Sequence, residues 1–168
     1  YPGNIYALLG PNGSGKTTFM KILGDLTKQS SGEVLFEGKP LSIQSRKDIA
    51  YLPTESQAYP FMTVEDYGKY HKSFFPDFQE EEYKRMLEEM DISLKLPFKA
   101  LSTGMDKKAR IAATLARNAK LVLLDEPFNG VDLLAREEIE KMILEKKKEN
   151  STILLSSHLV EEVEDYVQ

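Results

Sequence analysis

The sequence predicts an α/β fold with a mostly parallel sheet core and an inserted α-helical segment near residues 60–100. Short apolar runs alternate along the chain with longer segments whose apolar residues have helical spacing. Two of these runs, Leu121–Leu124 and residues 152–155, have the nearly continuous apolar character of parallel strands that are buried on both faces. A chain of 168 residues with 41% hydrophobic side chains is also large enough for one domain with a core.

The elements before residue 60 follow from apolar runs that are bounded by glycine or proline. In chain order they are a strand at Ile5–Leu9, a helix that starts at residue 16 and stops near Gly24, a strand at 33–36 and a strand at 48–52.

The elements after residue 60 begin with helices. Thr63 and Asp66 have the spacing of a capping box that opens the first of them. The remaining elements are a helix at 80–90, a helix that opens at Ser102, a strand at Leu121–Leu124, a helix at Leu133–Lys148, a strand at 152–155 and an acidic amphipathic helix at 159–167.

Composition excludes several functional classes. The formal charge of −5 gives no reason to expect nucleic-acid binding, and the basic run at residues 146–148 is bracketed by acidic residues, as in a solvated helix face. The absence of cysteine excludes disulfides, thiolate metal sites and cysteine nucleophiles. No apolar stretch approaches the roughly 18 to 20 residues that span a bilayer, so we expect membrane contact only through a partner. The chain begins at Tyr1 without a signal-peptide pattern, and we expect it to be truncated at both ends.

One glycine-rich segment has the pattern G-x-x-x-x-G-K-[ST] of a phosphate-binding P-loop, between a predicted strand and a predicted helix. Its glycines allow backbone N–H groups to face an anion, and the dipole of the following helix adds positive potential. Lys16 would contact the β- and γ-phosphates, and the Thr17 hydroxyl would contact Mg²⁺. The predicted nucleotide-binding residues of this segment are Gly10, Asn12, Gly13, Ser14, Gly15, Lys16, Thr17 and Thr18.

A second candidate group follows the strand Leu121–Leu124, which ends in two adjacent carboxylates. Ligands bind at the carboxyl ends of parallel strands, so we expect Asp125 beside the P-loop, where it can hold the Mg²⁺ shell. Glu126 is a candidate general base for the attacking water. Acids after strands also commonly cap helices, so this interpretation depends on the P-loop that precedes it.

With these motifs in this order, the chain resembles the ATP-binding cassette (ABC) ATPases over nearly its whole length. Leu101-Ser102-Thr103-Gly104-Met105 is similar to the family's LSGGQ signature. The resemblance implies that Ser102 and Gly104 contact the γ-phosphate of an ATP molecule held by the opposite subunit. Ser102 is also a suitable N-cap for the following helix, and it can serve both purposes.

Two further segments match the family in order. Residues 129–132 resemble the D-loop, whose aspartate, here Asp132, couples the two nucleotide sites. His158 resembles the switch histidine, and its implied role is to hold Glu126, water and the γ-phosphate in register. The other histidine, His71, lies in the helical insert and lacks this setting.

The chain also departs from the family pattern. Family members usually carry a glutamine in the loop after the strand at 48–52, where this chain has Thr54, which we expect to be a weak metal ligand. Thr103 and Met105 replace the usual glycine and glutamine of the signature. The resemblance places the adenine-stacking aromatic residue upstream of Tyr1.

The resemblance implies one P-loop NTPase domain over residues 1–168, with a RecA-like core at 1–53 and 106–168 and a helical subdomain at 54–105. It implies ATP and Mg²⁺ as cofactors, and a second ATPase subunit as partner in a homodimer or a paralogue heterodimer. It also implies a transmembrane permease that the dimer powers, no nucleic acid, and a cytoplasmic position on the inner face of the cell membrane. The permease would dock near the apolar residues 59–62, which are equally suited to a core turn.

Two other classes remain open at this level. A soluble ABC ATPase acting in translation or chromosome maintenance would need a second cassette or long heptad insertions, and this sequence contains neither. A P-loop kinase is disfavoured by the signature, the D-loop and His158 taken together.

Overall fold

A computed structural model describes residues 1–164 as alternating strands and helices. The strands are β1 (Ile5–Leu9), β2 (Leu35–Phe36), β3 (Lys39–Pro40), β4 (Ile49–Leu52), β5 (Leu121–Leu124) and β6 (Thr152–Ser157). The helices are α1 (Lys16–Leu23), α2 (Ile43–Arg46), α3 (Val64–Phe74), α4 (Glu80–Glu89), α5 (Thr103–Leu115) and α6 (Leu133–Lys148), with 3₁₀ turns at Phe98–Ala100 and Val160–Glu162. A helix able to span a bilayer is not found in residues 1–164.

Four strands form the main sheet in the order β1-β6-β5-β4, and every neighbouring pair is parallel. Ile153 of β6 lies between Ile5 of β1 and Val122 of β5. Ile153 and Val122 have no exposed surface, as expected of parallel strands with both faces covered. The predicted α/β fold with a mostly parallel sheet is confirmed.

The carboxyl ends of the four strands meet at one edge of this sheet. The Gly10 amide, just after β1, donates to the Ser157 carbonyl at the end of β6 (3.2 Å). The Asp125 amide, just after β5, donates to the Leu52 carbonyl at the end of β4 (3.1 Å). These bonds bring the loops that follow the strands together, which is the condition for a shared site.

Helix α5 runs through the core and carries charged side chains into it. Every residue from 107 to 115 is buried. Buried charges require partners, and Lys108 lies 2.5 Å from Glu138 of α6, while Arg110 lies 2.7 Å from Asp106. The polar contacts of this helix therefore fix its position relative to its neighbours.

Helices α3 and α4 come between β4 and α5 along the chain. The predicted capping box is present, since the Thr63 hydroxyl accepts from the Asp66 amide (3.0 Å) and Asp66 accepts from the Thr63 amide. A Cβ at Gly68 of α3 would lie 2.6 Å from the ring of Tyr83 on α4, so the two helices need glycine here to approach this closely. The Tyr83 hydroxyl then donates to the Val64 carbonyl (2.7 Å).

The predicted helix at 159–167 is wrong in its described part. Val160–Glu162 is a 3₁₀ turn, and residues 165–167 lie outside the described residues. The Ser157 hydroxyl accepts from the Leu159 amide (3.0 Å), and its one hydrogen has two acceptors within reach, the Glu162 carboxylate and the Leu159 carbonyl (3.1 Å). This local bonding competes with α-helix formation at the start of the segment.

The predicted strand at 33–36 is shorter and belongs to a hairpin outside the main sheet. Leu35–Phe36 pairs antiparallel with Lys39–Pro40. Glu37 and Gly38 have φ of 51° and 76°, which is the backbone that a two-residue hairpin turn requires.

Candidate nucleotide-binding site

The loop between β1 and α1 has the backbone geometry of an anion-binding turn. Gly13 and Gly15 have φ of 80° and 95°, a left-handed conformation that glycine adopts without strain. Gly15 is the N-cap of α1, and no side chain caps this helix. The first-turn N–H groups of a helix have no acceptor within it, so those of α1 are available to an anion.

This turn lines a cavity of about 360 Å³ at the carboxyl edge of the sheet. The predicted site residues that line it are Asn12, Gly13, Gly15, Lys16, Thr17, Thr18, Thr54 and Glu126, and Asn129 also contributes. Gly10 and Ser14 support the loop, where a Cβ at Gly10 would lie 2.7 Å from the Ser14 hydroxyl oxygen. Loops after β1, β4 and β5 thus form one concave surface.

Lys16 is buried at the base of this cavity, with 8% of its surface exposed. Its Nζ donates to the carbonyls of Gly10 (2.5 Å) and Pro11 (3.1 Å) and lies 3.6 Å from Glu126 Oε1. The ammonium therefore lies between the P-loop and the acidic residue that follows β5.

Asp125 is almost fully buried, and one of its oxygens has no partner. Oδ1 accepts from the Ser156 hydroxyl (2.6 Å), whereas Oδ2 makes no hydrogen bond within residues 1–164. The Tyr51 hydroxyl is also without a partner there, and its pKa is raised to about 12, first by burial and then by the charge of Asp125. A buried carboxylate oxygen with free lone pairs suits a water of the Mg²⁺ shell.

Metal binding here would depend on few protein groups. No cluster of three or more acidic or histidine side chains suited to a metal is found in the described part of the chain. Mg²⁺ characteristically uses one or two carboxylates together with water and phosphate oxygens. Asp125 and Thr17 fit that requirement.

The Glu126 carboxylate lies between two other predicted site residues. Its Oε2 is 3.0 Å from Nδ1 of His158, and its Oε1 is 3.6 Å from Lys16 Nζ. The Glu126 amide donates to the Ser156 hydroxyl (2.9 Å). Both carboxylate oxygens therefore have a neighbour that limits where the side chain can point.

The predicted residues of the signature and the D-loop do not line this cavity of their own chain: Ser102, Gly104 and Asp132. Ser102 is exposed at the N-cap of α5, where its hydroxyl accepts from the Met105 amide (3.2 Å). Asp132 is exposed at the N-cap of α6, where Oδ1 accepts from the Ala135 amide (2.8 Å). Each hydrogen bond thus belongs to the helix that the residue opens.

Residues 1–129 match the family model described as ABC transporter. The chain belongs to the ABC transporter family. It is 36% identical over 164 residues to the lantibiotic transport ATP-binding protein SrtF of Streptococcus pyogenes, covering 96% of this chain and 71% of that protein. It is 33% identical over 172 residues to the lipopolysaccharide export system ATP-binding protein LptB of Haemophilus influenzae, again covering 96% and 71%. An ABC transporter ATP-binding protein of Pyrococcus furiosus superposes with a TM-score of 0.83 and 32% identity, covering 94% of this chain and 80% of that one.

This ABC protein is an ATP-binding and ATP-hydrolysing subunit of a transporter, with the predicted P-loop NTPase fold. The alternative of a soluble ATPase in translation or chromosome maintenance is not supported, because the matched relatives are named for transport.

Sequence reasoning missed three residues of this ABC site: Ser156, Lys107 and Tyr51. Ser156 contacts both Asp125 and Glu126. Its position near the end of the last strand, at the same edge as the P-loop, was the available signal. Lys107 donates to the Glu126 carbonyl, and Tyr51 lies close enough to Asp125 for that charge to raise the Tyr51 pKa. Nothing in the local sequence of Lys107 or Tyr51 distinguishes them from core residues.

Proposed function

We propose that two copies of this ABC protein, or one copy and a paralogue, bind two ATP molecules between them head to tail. Closing and opening of that dimer drives a separate transmembrane permease. One observation carries the proposal: Ser102 lies exposed outside the cavity that Lys16 and Glu126 line in the same chain. A site that needs both parts must take the second from another subunit.

In this proposal the triphosphate lies on the first-turn amides of α1. Lys16, which donates to two loop carbonyls, exchanges them for β- and γ-phosphate oxygens, because a charged acceptor forms the stronger hydrogen bond. Thr17 and Asp125 would hold Mg²⁺, and Thr54, at the cavity wall, would be a weak additional ligand. Bound Mg²⁺ would neutralise charge on the β- and γ-phosphate oxygens.

Glu126 acts in this scheme as the general base. It accepts a proton from the water that attacks the γ-phosphorus, while the bond to the ADP oxygen breaks. His158, at 3.0 Å, holds the carboxylate and the γ-phosphate in register. Ser102 and Gly104 contact the γ-phosphate in the partner's cavity, and Asp132 links the two sites across the dimer.

The permease docks, in this proposal, at a cleft of about 310 Å³ beside β4 and α3. Its wall includes the aromatic side chains of Tyr67, Tyr70 and Phe74. Tyr59 and Phe61, from the loop that precedes α3, are 63% and 77% exposed, which suits a contact surface. Residues 54–105 then form the helical subdomain beside a core of 1–53 and 106–168, and the protein lies at the cytoplasmic face of the membrane.

Complementation between two inactive variants tests the dimer. Ser102→Arg blocks the partner's γ-phosphate position, and Lys16→Ala weakens the nucleotide site of its own chain. Each full-length variant alone should hydrolyse almost no ATP. Mixed, they should regain activity, because the P-loop of the Ser102→Arg chain meets the intact Ser102 of the other chain.

Ser93→Arg is the matched control, since Ser93 is also exposed and accepts only a local amide, that of Lys95 (3.3 Å). It should leave hydrolysis unchanged. Isolated Ser102→Arg should bind ATP within about twofold of the parent, a difference near 0.4 kcal/mol. Loss of monomer affinity in Ser102→Arg, or no recovery in the mixture, would mean that Ser102 serves its own subunit.

A further inference from the structure

Lys107, on α5, makes two buried contacts that the proposed roles above do not use. Only 7% of its surface is exposed. Its Nζ donates to the carbonyls of Glu126 (3.0 Å) and Asn129 (2.8 Å). These carbonyls mark the two ends of a turn, because the Asn129 amide also donates to the Glu126 carbonyl (3.3 Å). One ammonium therefore fastens the turn that carries Glu126 to the helix that begins with the signature.

The backbone of Glu126 needs such support. Its φ of 51° is in the left-handed region, which costs a residue with a side chain about 1 to 2 kcal/mol. Four other non-glycine residues within 1–164 have positive φ, and they lie in the hairpin turn or just after a helix: Asp25, Glu37, Asp91 and Asn150. Glu126 is the one member of this set that is buried.

Side chains hold both backbone polar groups of Glu126. Its amide donates to Ser156, and its carbonyl accepts from Lys107. Strained backbone conformations persist where the surrounding contacts over-determine them, and they concentrate at functional sites. The direction of the Glu126 carboxylate, towards His158 and Lys16, follows from this backbone conformation.

We propose that Lys107 is a positioning residue for the catalytic carboxylate of its own subunit. It keeps the turn at Glu126 in the conformation that aims the carboxylate at the attacking water. The proposal rests on the role of Glu126 as general base. Lys107 also ties this turn to the signature helix, so that the placement of α5 and the placement of Glu126 depend on each other.

The alternative is that Lys107 only stabilises the fold. Burial, and then the positive charge of Arg110, lower the pKa of Lys107, so the two carbonyls compensate for an unfavourable environment. The adjacent Lys108 is similarly buried at 8% exposure, but its ammonium donates to Glu138 of α6. Lys108 is therefore a matched control for the structural effect of losing a buried lysine from α5.

The test compares Lys107→Met with Lys108→Met in the full-length protein. Lys107→Met should lower kcat by about 10- to 100-fold, the loss expected when a reacting group is misplaced by about 1 Å. Its Kd for ATP should stay within about twofold of the parent value, since the P-loop is untouched. Lys108→Met should lower the unfolding temperature comparably and leave kcat within about threefold of the parent. Lys107→Arg, which retains donors for both carbonyls, should recover most of the lost kcat.

A double variant separates positioning from general damage. In a Glu126→Gln background the base is absent, so Lys107→Met should reduce the residual hydrolysis no further. If Lys107→Met does not fold, Lys107→Gln replaces it, because glutamine keeps a hydrogen-bond donor of shorter reach. Lys107→Gln should lower kcat by less than the roughly 10- to 100-fold expected for Lys107→Met and should likewise leave the Kd for ATP unchanged.

Several outcomes would overturn the proposal. They are an equal kcat loss in Lys108→Met, no loss in a folded Lys107→Met, or additive losses in the double variant. Failure of the proposed function looks different, because Glu126→Gln alone would then leave hydrolysis intact.

Discussion

The two halves of the proposed nucleotide site differ in how their side chains are held. The half on the P-loop side, here called the buried half, contains the buried residues Lys16, Glu126 and Ser156 and the partly exposed His158, and the other three all contact Glu126. The exposed half comprises Ser102 of the signature and Asp132 of the D-loop, whose side chains accept hydrogen bonds only within the first turn of their own helix. The first half is thus preorganised for chemistry within one chain, whereas the second half is free to meet another molecule.

The largest effect expected on the buried half is that of Glu126→Gln. It should slow ATP hydrolysis about 10²- to 10⁴-fold while ATP and Mg²⁺ still bind, because the shape is kept and the base is lost. ATP that bridges two subunits then persists, so the full-length variant should elute as a dimer with ATP and Mg²⁺ and as a monomer with ADP. A variant that is inactive yet monomeric with ATP would contradict the shared site, and normal turnover would remove Glu126 from catalysis.

Lys16→Ala should come next in size. It removes the cation beside the phosphates, and a charge-assisted contact of about 1.5 to 3 kcal/mol corresponds to roughly 10- to 150-fold in Kd for ATP. Nucleotide titration of the isolated subunit measures this. Lys21 is exposed in the last turn of the same helix, so the control variant Lys21→Ala should leave the Kd for ATP unchanged. Parent-like affinity in Lys16→Ala would mean that the P-loop assignment is wrong.

Ser156→Ala should have a smaller effect that is still specific to the buried half. The Ser156 hydroxyl donates to Asp125 and accepts from the Glu126 amide, and its removal leaves two buried groups unpaired. We expect the free energy of unfolding to fall by about 1 to 3 kcal/mol and kcat to fall about tenfold. Ser151→Ala removes an equally buried hydroxyl that bonds only to the Ala119 carbonyl, so it should lower stability without lowering kcat. Equal kcat values in the two variants would show that Ser156 is only structural.

Asp132→Ala should have the smallest effect on the isolated subunit. The loss of an N-cap lowers the free energy of unfolding by about 1 kcal/mol, and ATP affinity should not change because Asp132 lies outside the cavity. Thr63→Ala removes the comparable cap of α3 and should match it in stability. If the exposed half acts across a dimer, hydrolysis by the full-length protein should fall in Asp132→Ala and not in Thr63→Ala. A fall in monomer affinity for ATP would instead place Asp132 in its own site.

Two features of the sequence allowed most of the buried half to be predicted. The P-loop is one continuous segment whose spacing specifies its geometry, so Gly10 to Thr18 could be assigned from the pattern alone. Glu126 and His158 are 32 residues apart, yet each follows a strand that ends at the same edge of the sheet. That edge can be inferred from an alternating α/β pattern.

The contacts of Lys107 had no comparable signal in the sequence. Lys107 lies 19 residues before Glu126 on a helix whose residues there are all buried, and only the packing of α5 brings its ammonium to the turn. The helix predicted at 159–167 is wrong in its described part, residues 159–164, for a local reason, since the periodic pattern takes no account of the Ser157 hydroxyl bonding to Leu159.

The left-handed backbone at Glu126 sets a limit on how this protein can be engineered. Asparagine and glycine adopt that conformation more readily than glutamate does. A library of variants selected only for resistance to heat should therefore enrich asparagine or glycine at residue 126, and each such clone would lose the carboxylate that we propose as the general base. If Glu126 is the base, selection for thermal tolerance in this domain needs turnover as a second criterion at every round, because a substitution that relieves backbone strain at residue 126 also removes the group that activates water.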